Sequence, residues 1–262
     1  MDLQLEGKRV LVTGASKGIG LAVVRAFVAE GASVVAAARR NTAELKETGA
    51  HFIPADLSTP DGPRELVEAT LALDPRLDAL VNNAGGGDVP EGMFEDPLSG
   101  DDDTWTNVFA LNLGSAVRTT RAALPALIEA KGAVVNISST SARDPHTAPL
   151  PYSSAKAALN AFTRGLAEAV GRAGVRVNAV TPGGTRTNIM LSSDGYLASV
   201  AANMGIEHSA LLAALPDQSG MLTGSLIDPD EIARAVLLLA SPTMPSAVGS
   251  NWTVHAGSVK SA

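Results

Sequence analysis

Arg9-Val10-Leu11-Val12-Thr13-Gly14-Ala15-Ser16-Lys17-Gly18-Ile19-Gly20 is the stretch on which the reading of this chain turns. A short apolar run ends in a turn whose glycines are spaced Gly-x-x-x-Gly-x-Gly, and a helical pattern follows over 18–30. Glycines let the backbone turn tightly and approach a pyrophosphate closely. Free N–H groups and the dipole at the start of the following helix add positive potential. A strand before such a turn and a helix after it are the context a dinucleotide site requires. The spacing here is wider than the Gly-x-Gly-x-x-Gly fingerprint of the commonest dinucleotide folds.

The same alternation continues along the chain. Apolar runs at 9–13, 33–38, 51–55, 77–82, 133–138, 175–180 and 252–255 are rich in Val and Ile and read as strands covered on both faces. Helical patterns occupy 18–30, 62–73, 102–130, 152–171 and 229–240. Alternation of this kind predicts right-handed crossovers and a parallel, three-layer α/β/α sheet. No linker, repeat or low-complexity tract interrupts it, so 1–262 reads as a single domain. Two excursions stand apart. Residues 85–103 are rich in Gly, Asp and Pro, and residues 185–228 are too long for a plain connection, as expected of a lid or binding loop.

Composition narrows the class. With 45% apolar residues the chain is globular, and its net charge of −7 argues against nucleic acid as a partner. No apolar stretch approaches the roughly 20 residues needed to cross a bilayer, and the start lacks a signal-peptide pattern. The absence of cysteine suits a reducing compartment, so a cytoplasmic location is expected. The four histidines are scattered and suggest no metal site.

The end of the second strand decides between the two nicotinamide cofactors. An Asp or Glu there holds a ribose 2′-hydroxyl and repels a 2′-phosphate. This chain instead has Ala36-Ala37-Ala38 followed by Arg39 and Arg40, with Lys17 in the neighbouring turn. A cationic, acid-free site predicts NADP(H) in preference to NAD(H).

Tyr152 and Lys156 stand four residues apart, hence one above the other on a helix face. A phenol ordinarily titrates near pH ~10. An ammonium beside it favours the phenolate and moves it toward the range a general acid/base needs. The only other tyrosine, Tyr196, is followed at that spacing by Val200.

These residues together resemble the single-domain short-chain dehydrogenases/reductases, over nearly the whole chain from Thr13 to about Gly257. The likeness rests on Thr13-Gly14-x-x-x-Gly18-x-Gly20, Asp56-Leu57, Asn82-Asn83-Ala84-Gly85, Asn112, Ser139, Tyr152-x-x-x-Lys156 and Pro182-Gly183 with Thr187. The resemblance implies a Rossmann-like, doubly wound, seven-stranded parallel sheet with one active site at the carboxyl ends of the strands. It implies that Asp56 and Leu57 contact the adenine and that Asn83, Ala84 and Gly85 line the cofactor channel. Pro182, Gly183, Thr185 and Thr187 would hold the nicotinamide and pyrophosphate end, with the turn residues Thr13, Gly14, Ser16, Lys17, Gly18, Ile19 and Gly20 and the ribose-site Arg39 completing the cofactor set.

In that frame Tyr152 exchanges a proton with the substrate oxygen, and Lys156 lowers the tyrosine pKa and bonds the nicotinamide ribose. Ser139 donates a hydrogen bond to the substrate oxygen. The family commonly spaces this serine thirteen residues ahead of the tyrosine, which selects Ser139 and leaves Ser138 and Ser141 as alternatives. Asn112 resembles the residue that holds a water in the proton relay. A homo-oligomer, tetramer or dimer, is also implied. The segment that tends to serve subunit contacts reads His255-Ala256-Gly257 where the family often has Asp-Gly-Gly, which puts the tetramer in doubt.

Substrate identity is less legible. The excursion 185–228 carries Ile189, Met190, Leu191, Tyr196, Leu197, Met204, Leu211, Leu212, Leu215, Met221 and Leu222. A lid of this composition predicts a mostly apolar carbonyl or alcohol substrate, although the same side chains would also serve burial against the domain or another subunit. Arg143 and Arg186 are candidates for a substrate carboxylate, and His146 for facing the substrate. Two rivals remain, a reductase of 3-oxoacyl chains on acyl carrier protein and a non-catalytic NADP-binding sensor or structural subunit. Net acidity and the large lid disfavour the first, and the presence of Tyr152 and Ser139 disfavours the second.

Overall fold

In a computed structural model, which describes residues 1–86, 96 and 98–260, seven strands form one parallel sheet. Most of the 85–103 excursion therefore lies outside the described residues. The strands are β1 (Arg9–Thr13), β2 (Ser33–Ala38), β3 (His51–Pro54), β4 (Ala79–Asn82), β5 (Ala133–Ile137), β6 (Arg176–Pro182) and β7 (Asn251–Val254). The helices are α1 (Gly18–Ala29), α2 (Ala43–Lys46), α3 (Gly62–Leu73), α4 (Asp102–Phe109), α5 (Ser115–Ala130), α6 (Leu150–Val170), α7 (Asn188–Leu191), α8 (Tyr196–Met204), α9 (His208–Gln218) and α10 (Pro229–Ala240).

Side chains alternate across each strand, and both sets are buried. Val10, Val12, Val34, Ala36, Val81, Val135 and Val180 pack with Val23, Val24 and Phe27 of α1 and Ile232, Val236 and Leu239 of α10. Leu11, Val35, Leu80, Val134 and Val177 pack on the other face with Leu66 of α3, Leu127 of α5 and Val170 of α6. Three layers follow, because neither sheet face can be left to water. Strand order is β3-β2-β1-β4-β5-β6-β7. The chain winds outward from β1 to β3 and then returns to the other side of β1 with β4. That reversal opens a crevice beyond the carboxyl ends of β1 and β4, where doubly wound sheets bind ligands.

Three expectations need correction. The helix over 102–130 is not continuous, because a π-helical turn at Ala110–Gly114 separates α4 from α5. The helix expected to begin at Tyr152 begins at Leu150, with Pro151 in its first turn, where a missing N–H costs nothing. The 185–228 excursion, for which no helical pattern was expected, contains α7, α8 and α9. Its ends are stitched together: Arg186 N–H donates to the Ile227 carbonyl (2.8 Å) and Ile227 N–H to the Gly184 carbonyl (2.9 Å). Arg186 also pairs with Asp228, which caps α10 in a reciprocal capping box with Glu231. Within this lid Leu197, Val200, Ala201 and Leu211 form a small core of their own.

Candidate active site

The glycine turn sits at the carboxyl end of β1, against the end of β4. Gly14 has φ +63°, and a Cβ there would lie 2.9 Å from both Ala84 Cα and Asn83 Nδ2. At Gly20 a Cβ would meet the Gly14 carbonyl oxygen at 2.3 Å. Only glycine permits this turn and this closeness of α1 to the sheet. Asn83 braces the turn by donating from Nδ2 to the Thr13 and Gly14 carbonyls (3.0 and 3.1 Å). Thr42, the N-cap residue of α2, does the same by donating to the Ser16 carbonyl at 2.9 Å, a support no sequence motif announced.

Thr13 belongs to this brace and not to a ligand surface. Its hydroxyl donates to the Val81 carbonyl (3.2 Å) and accepts from Asn83 N–H and Ala84 N–H (both 3.0 Å), which exhausts its capacity. Leu57 likewise points inward, packed among the residues beneath β2, so its side chain is not free for adenine. Ser16, Lys17, Gly18 and Ile19 line the outer side of the turn, where Lys17 caps α1 without any side-chain bond. Lys17, Arg39 and Arg40 are exposed beside it. Hydrogen bonds from Ser58, aided by nearby Arg39, hold the Asp56 carboxyl below the usual carboxylate range. An anion-accepting helix start flanked by three cations fits a phosphorylated dinucleotide.

The chemical groups converge at the next strand ends. Tyr152 and Lys156 lie on one face of α6, with Lys156 Nζ 5.7 Å from the phenol ring centre. Lys156 is 3% exposed and donates to the Ile137 carbonyl at 2.8 Å. Burial lowers its pKa to about 8. Burial also pushes the Tyr152 hydroxyl above its ordinary value, and the Ser139 hydroxyl opposes that rise. Desolvation of the phenolate is thus the largest influence on this phenol, with the Ser139 hydroxyl working against it.

The adjacent hydroxyls differ in their surroundings. Ser139 accepts from Ser141 N–H (3.2 Å) and Ser141 Oγ (3.0 Å), which leaves its own proton free to donate toward Tyr152 and the cleft. Ser138 is buried with its hydroxyl unpartnered, and Ser141 is buried behind Ser139. Asn112 sits in the π-helical turn, a feature that often marks functional positions. Its Nδ2 donates to the Gly86 and Val108 carbonyls (2.6 and 2.9 Å), and its Oδ1 accepts from Gly86 N–H (3.0 Å). Both amide hydrogens are engaged, so a water held here would donate to the remaining lone pair of Oδ1 or to a backbone carbonyl. Gly85 lies between these groups: a Cβ there would stand 2.9 Å from Asn112 Oδ1 and 3.2 Å from Lys156 Nζ.

A buried polar ladder, absent from the sequence reading, holds α6 to the sheet. Asn82 Nδ2 donates to Thr120 Oγ1 (2.9 Å) and Asn136 Oδ1 (2.8 Å), and Asn136 Nδ2 donates to Thr163 Oγ1 (2.8 Å). Each such bond contributes on the order of 1 kcal/mol net. Polar residues inside apolar strands were the available signal.

From β6, Pro182 and Gly183 lead into Thr185, whose hydroxyl donates to the Gly183 carbonyl at 2.9 Å. The Thr187 methyl faces Gly18, close enough that a Cβ on the glycine would lie 3.1 Å away, so the base of the lid meets the glycine turn. The other candidates stand elsewhere. Arg186 is paired with Asp228, Arg143 is exposed, and exposed His146 is paired with Asp144. Among the described residues no group of His, Asp or Glu could hold a metal ion, and no helix is long and apolar enough to cross a membrane.

Residues 8–194, which contain the turn, the serine and the Tyr/Lys pair, match the short chain dehydrogenase family. The chain belongs to the short-chain dehydrogenase/reductase family. L-fucose dehydrogenase of Bos taurus is 32% identical, over 92% of this chain and 86% of that protein. The L-sorbose reductase of Gluconobacter frateurii, solved with NADPH and L-sorbose, superposes with a TM-score of 0.88 at 29% identity, covering 100% of both chains. An actinorhodin polyketide ketoreductase solved with NADPH gives 0.86 at 27%, covering 97% of this chain and 98% of that one. This family member is thus an oxidoreductase of the class that acts on CH–OH and C=O groups, built on the expected single Rossmann-like sheet.

Proposed function

We propose that the protein is an NADP(H)-dependent oxidoreductase that interconverts a ketone and a secondary alcohol, with Tyr152 as general acid/base. The observation that carries this reading is the meeting of Ser139, Tyr152 and Lys156 at the ends of β5 and α6, beside a glycine turn flanked by cations. The turn and start of α1, with Lys17, Arg39 and the ends of β4 and β6, would hold the dinucleotide. When bound, the nicotinamide would supply the hydride in reduction and accept it in oxidation. Ser139 donates to the substrate oxygen and stabilises charge that develops there. Tyr152, kept neutral by burial, gives that oxygen its proton in reduction and takes it back in oxidation. Lys156, charged below about pH 8, favours the phenolate that is left.

NADPH in two solved relatives and the acid-free end of β2 support the cofactor preference. Support for a mostly apolar substrate is weaker than the lid's composition suggested. Leu197 and Leu211 are buried in the lid's own core, Leu212 and Leu215 pack on it, and Met221 joins the main core. Two of the relatives carry sugars in their names, which favours a hydroxylated carbonyl compound. A homo-oligomer in the cytoplasm completes the proposal, and light scattering would report the assembly state.

The test is NADPH oxidation over a panel of ketones with Tyr152→Phe as control. The variant should lose about a thousandfold in kcat/KM, and full activity in it would remove the mechanism. Ala38→Asp should move preference toward NAD by about tenfold or more, since a carboxylate repels a 2′-phosphate. An unchanged ratio would refute the reading of that strand end.

A further inference from the structure

Ser141 carries a buried hydroxyl outside the set of groups assigned to substrate and cofactor. The residue is 2% exposed and sits in the single 3-10 turn Thr140–Ala142 that follows β5. Ser139 enters that turn with an extended backbone and caps it, its Oγ accepting the Ser141 N–H at 3.2 Å. Any residue but proline supplies that N–H, so the cap does not require a serine at 141. Backbone bonds close the rest of the turn. Ala142 N–H donates to the Ser139 carbonyl (3.1 Å), and Arg143 and Asp144 N–H donate to that of Thr140 (2.9 and 3.0 Å). The Ser141 hydroxyl is thus surplus to the turn. It doubles back and donates to the same Ser139 Oγ at 3.0 Å, its one bond among the described residues. Taking a hydroxyl out of water costs free energy that such a bond only offsets, so a purely structural site would do as well with alanine.

A serine hydroxyl has two acceptor lone pairs and one proton. At Ser139 both lone pairs are taken by Ser141, so no water or neighbouring donor can turn the hydroxyl round. We infer that Ser141 is a positioning residue: by filling the second acceptor site of Ser139, it fixes the Ser139 proton as a donor to the substrate oxygen. The inference rests on Ser139 serving that oxygen in the proposed chemistry. Two effects follow. A preset donor needs no reorientation when charge develops on the oxygen. A hydroxyl that accepts a bond also donates more strongly, because hydrogen bonds in a chain polarise one another. Ser138 supplies the contrast within the same run. Its hydroxyl is sealed from solvent and bonds nothing among the described residues, so it has no bond through which to act.

The experiment measures kcat and KM with NADPH and the fastest ketone of the panel for Ser141→Ala, Ser139→Ala, the double variant, Ser141→Thr and Ser138→Ala. Thermal melting verifies each fold. Ser141→Ala keeps the capping N–H and removes only the second bond to Ser139. Its kcat should fall about fivefold, the equivalent of one neutral hydrogen bond, with KM little changed, since the Ser139 bond strengthens as charge develops. Ser139→Ala should lose about a hundredfold. Adding Ser141→Ala to it should change nothing more, because Ser141 acts only through Ser139. A further loss in the double variant equal to that of Ser141→Ala alone would mean that Ser141 supports the fold, and would overturn the inference. Unimpaired kcat in Ser141→Ala would overturn it too. Ser141→Thr retains the hydroxyl and should restore kcat. A folded threonine variant as slow as Ser141→Ala counts against the inference, and if the extra methyl unfolds the chain the alanine cycle decides. Ser138→Ala should leave kcat unchanged, and a loss there matching that of Ser141→Ala would show that any buried hydroxyl in the run has this effect, which also overturns the role of Ser141. Full activity in Ser139→Ala would instead remove the proposed chemistry on which the inference stands.

Discussion

Tyr152 and Lys156 stand on a long helix locked to the sheet by buried amides and hydroxyls, whereas Tyr196 stands on one of three short helices that share a small core of their own. In the first region the polar groups have fixed partners: Lys156 on the Ile137 carbonyl, Asn112 on Gly86, Ser141 on Ser139. In the second, stability comes from a few apolar contacts and from a neck tied by backbone bonds and the Arg186–Asp228 pair. The contrast separates two tasks. Proton transfer needs groups held to within a fraction of an ångström, and substrate choice needs a wall that can open.

The largest expected effect is on the locked side. Lys156→Met should lower kcat/KM for reduction by about a thousandfold, within the range of a lost acid–base function. It should also stabilise the fold. Burial depresses Lys156 from 10.5 to about 8, so the folded protein disfavours its charge. Below pH 8 both states are protonated and the full penalty, roughly 3 kcal/mol, is present. Between pH 8 and 10.5 the unfolded chain binds more protons, so wild-type stability rises with pH and the variant's advantage shrinks. Allowing about 1 kcal/mol for the orphaned Ile137 carbonyl, the net gain at pH 7 is about 2 kcal/mol. Denaturant titrations at pH 7 and 10 measure both. Lower stability at pH 7 would mean that the ammonium is part of the support and not a strain upon it.

Gly85→Ala is expected to follow, with about a hundredfold loss of activity and 1–3 kcal/mol of stability, roughly the cost of overpacking. Its methyl would press on Asn112 and Lys156. Intact activity would show that the wall yields, and the contrast with the lid would lose its basis. In the lid, Leu197→Ala should remove about 2–3 kcal/mol of local stability. The global melting point should move less, because the main cores are separate clusters. Hydrogen exchange confined to α8 and α9 would confirm this, and a melting shift of the full amount would join lid and body into one cooperative unit. Smallest is Arg186→Ala. Its pair with Asp228 is exposed, so stability should fall by less than about 1 kcal/mol, with KM the more sensitive readout.

Legibility divided along the same line. Strand periodicity placed all seven strands, and the glycine spacing, the Tyr/Lys interval and the acid-free end of β2 were readable because each is a local pattern with a local cause. The π-helical turn was not readable from the helical pattern, and the side chain of Asn112 within it bonds Gly86, distant in the chain. Thr13 carries a motif position yet braces β4, which no spacing could reveal. The polar ladder of Asn82, Asn136, Thr120 and Thr163 likewise joins elements remote in sequence.

By itself, then, the order of residues determined a parallel doubly wound sheet, a dinucleotide turn and a paired phenol and ammonium on one helix face. Periodicity, glycine geometry and the helical repeat act over a few residues, so they can be read from the chain. Tertiary structure alone decided that burial raises the Tyr152 phenol, that Leu197 and Leu211 of the lid pack together, and that Thr13 is spent bracing β4. Desolvation and contact between distant segments do not exist until the chain has folded.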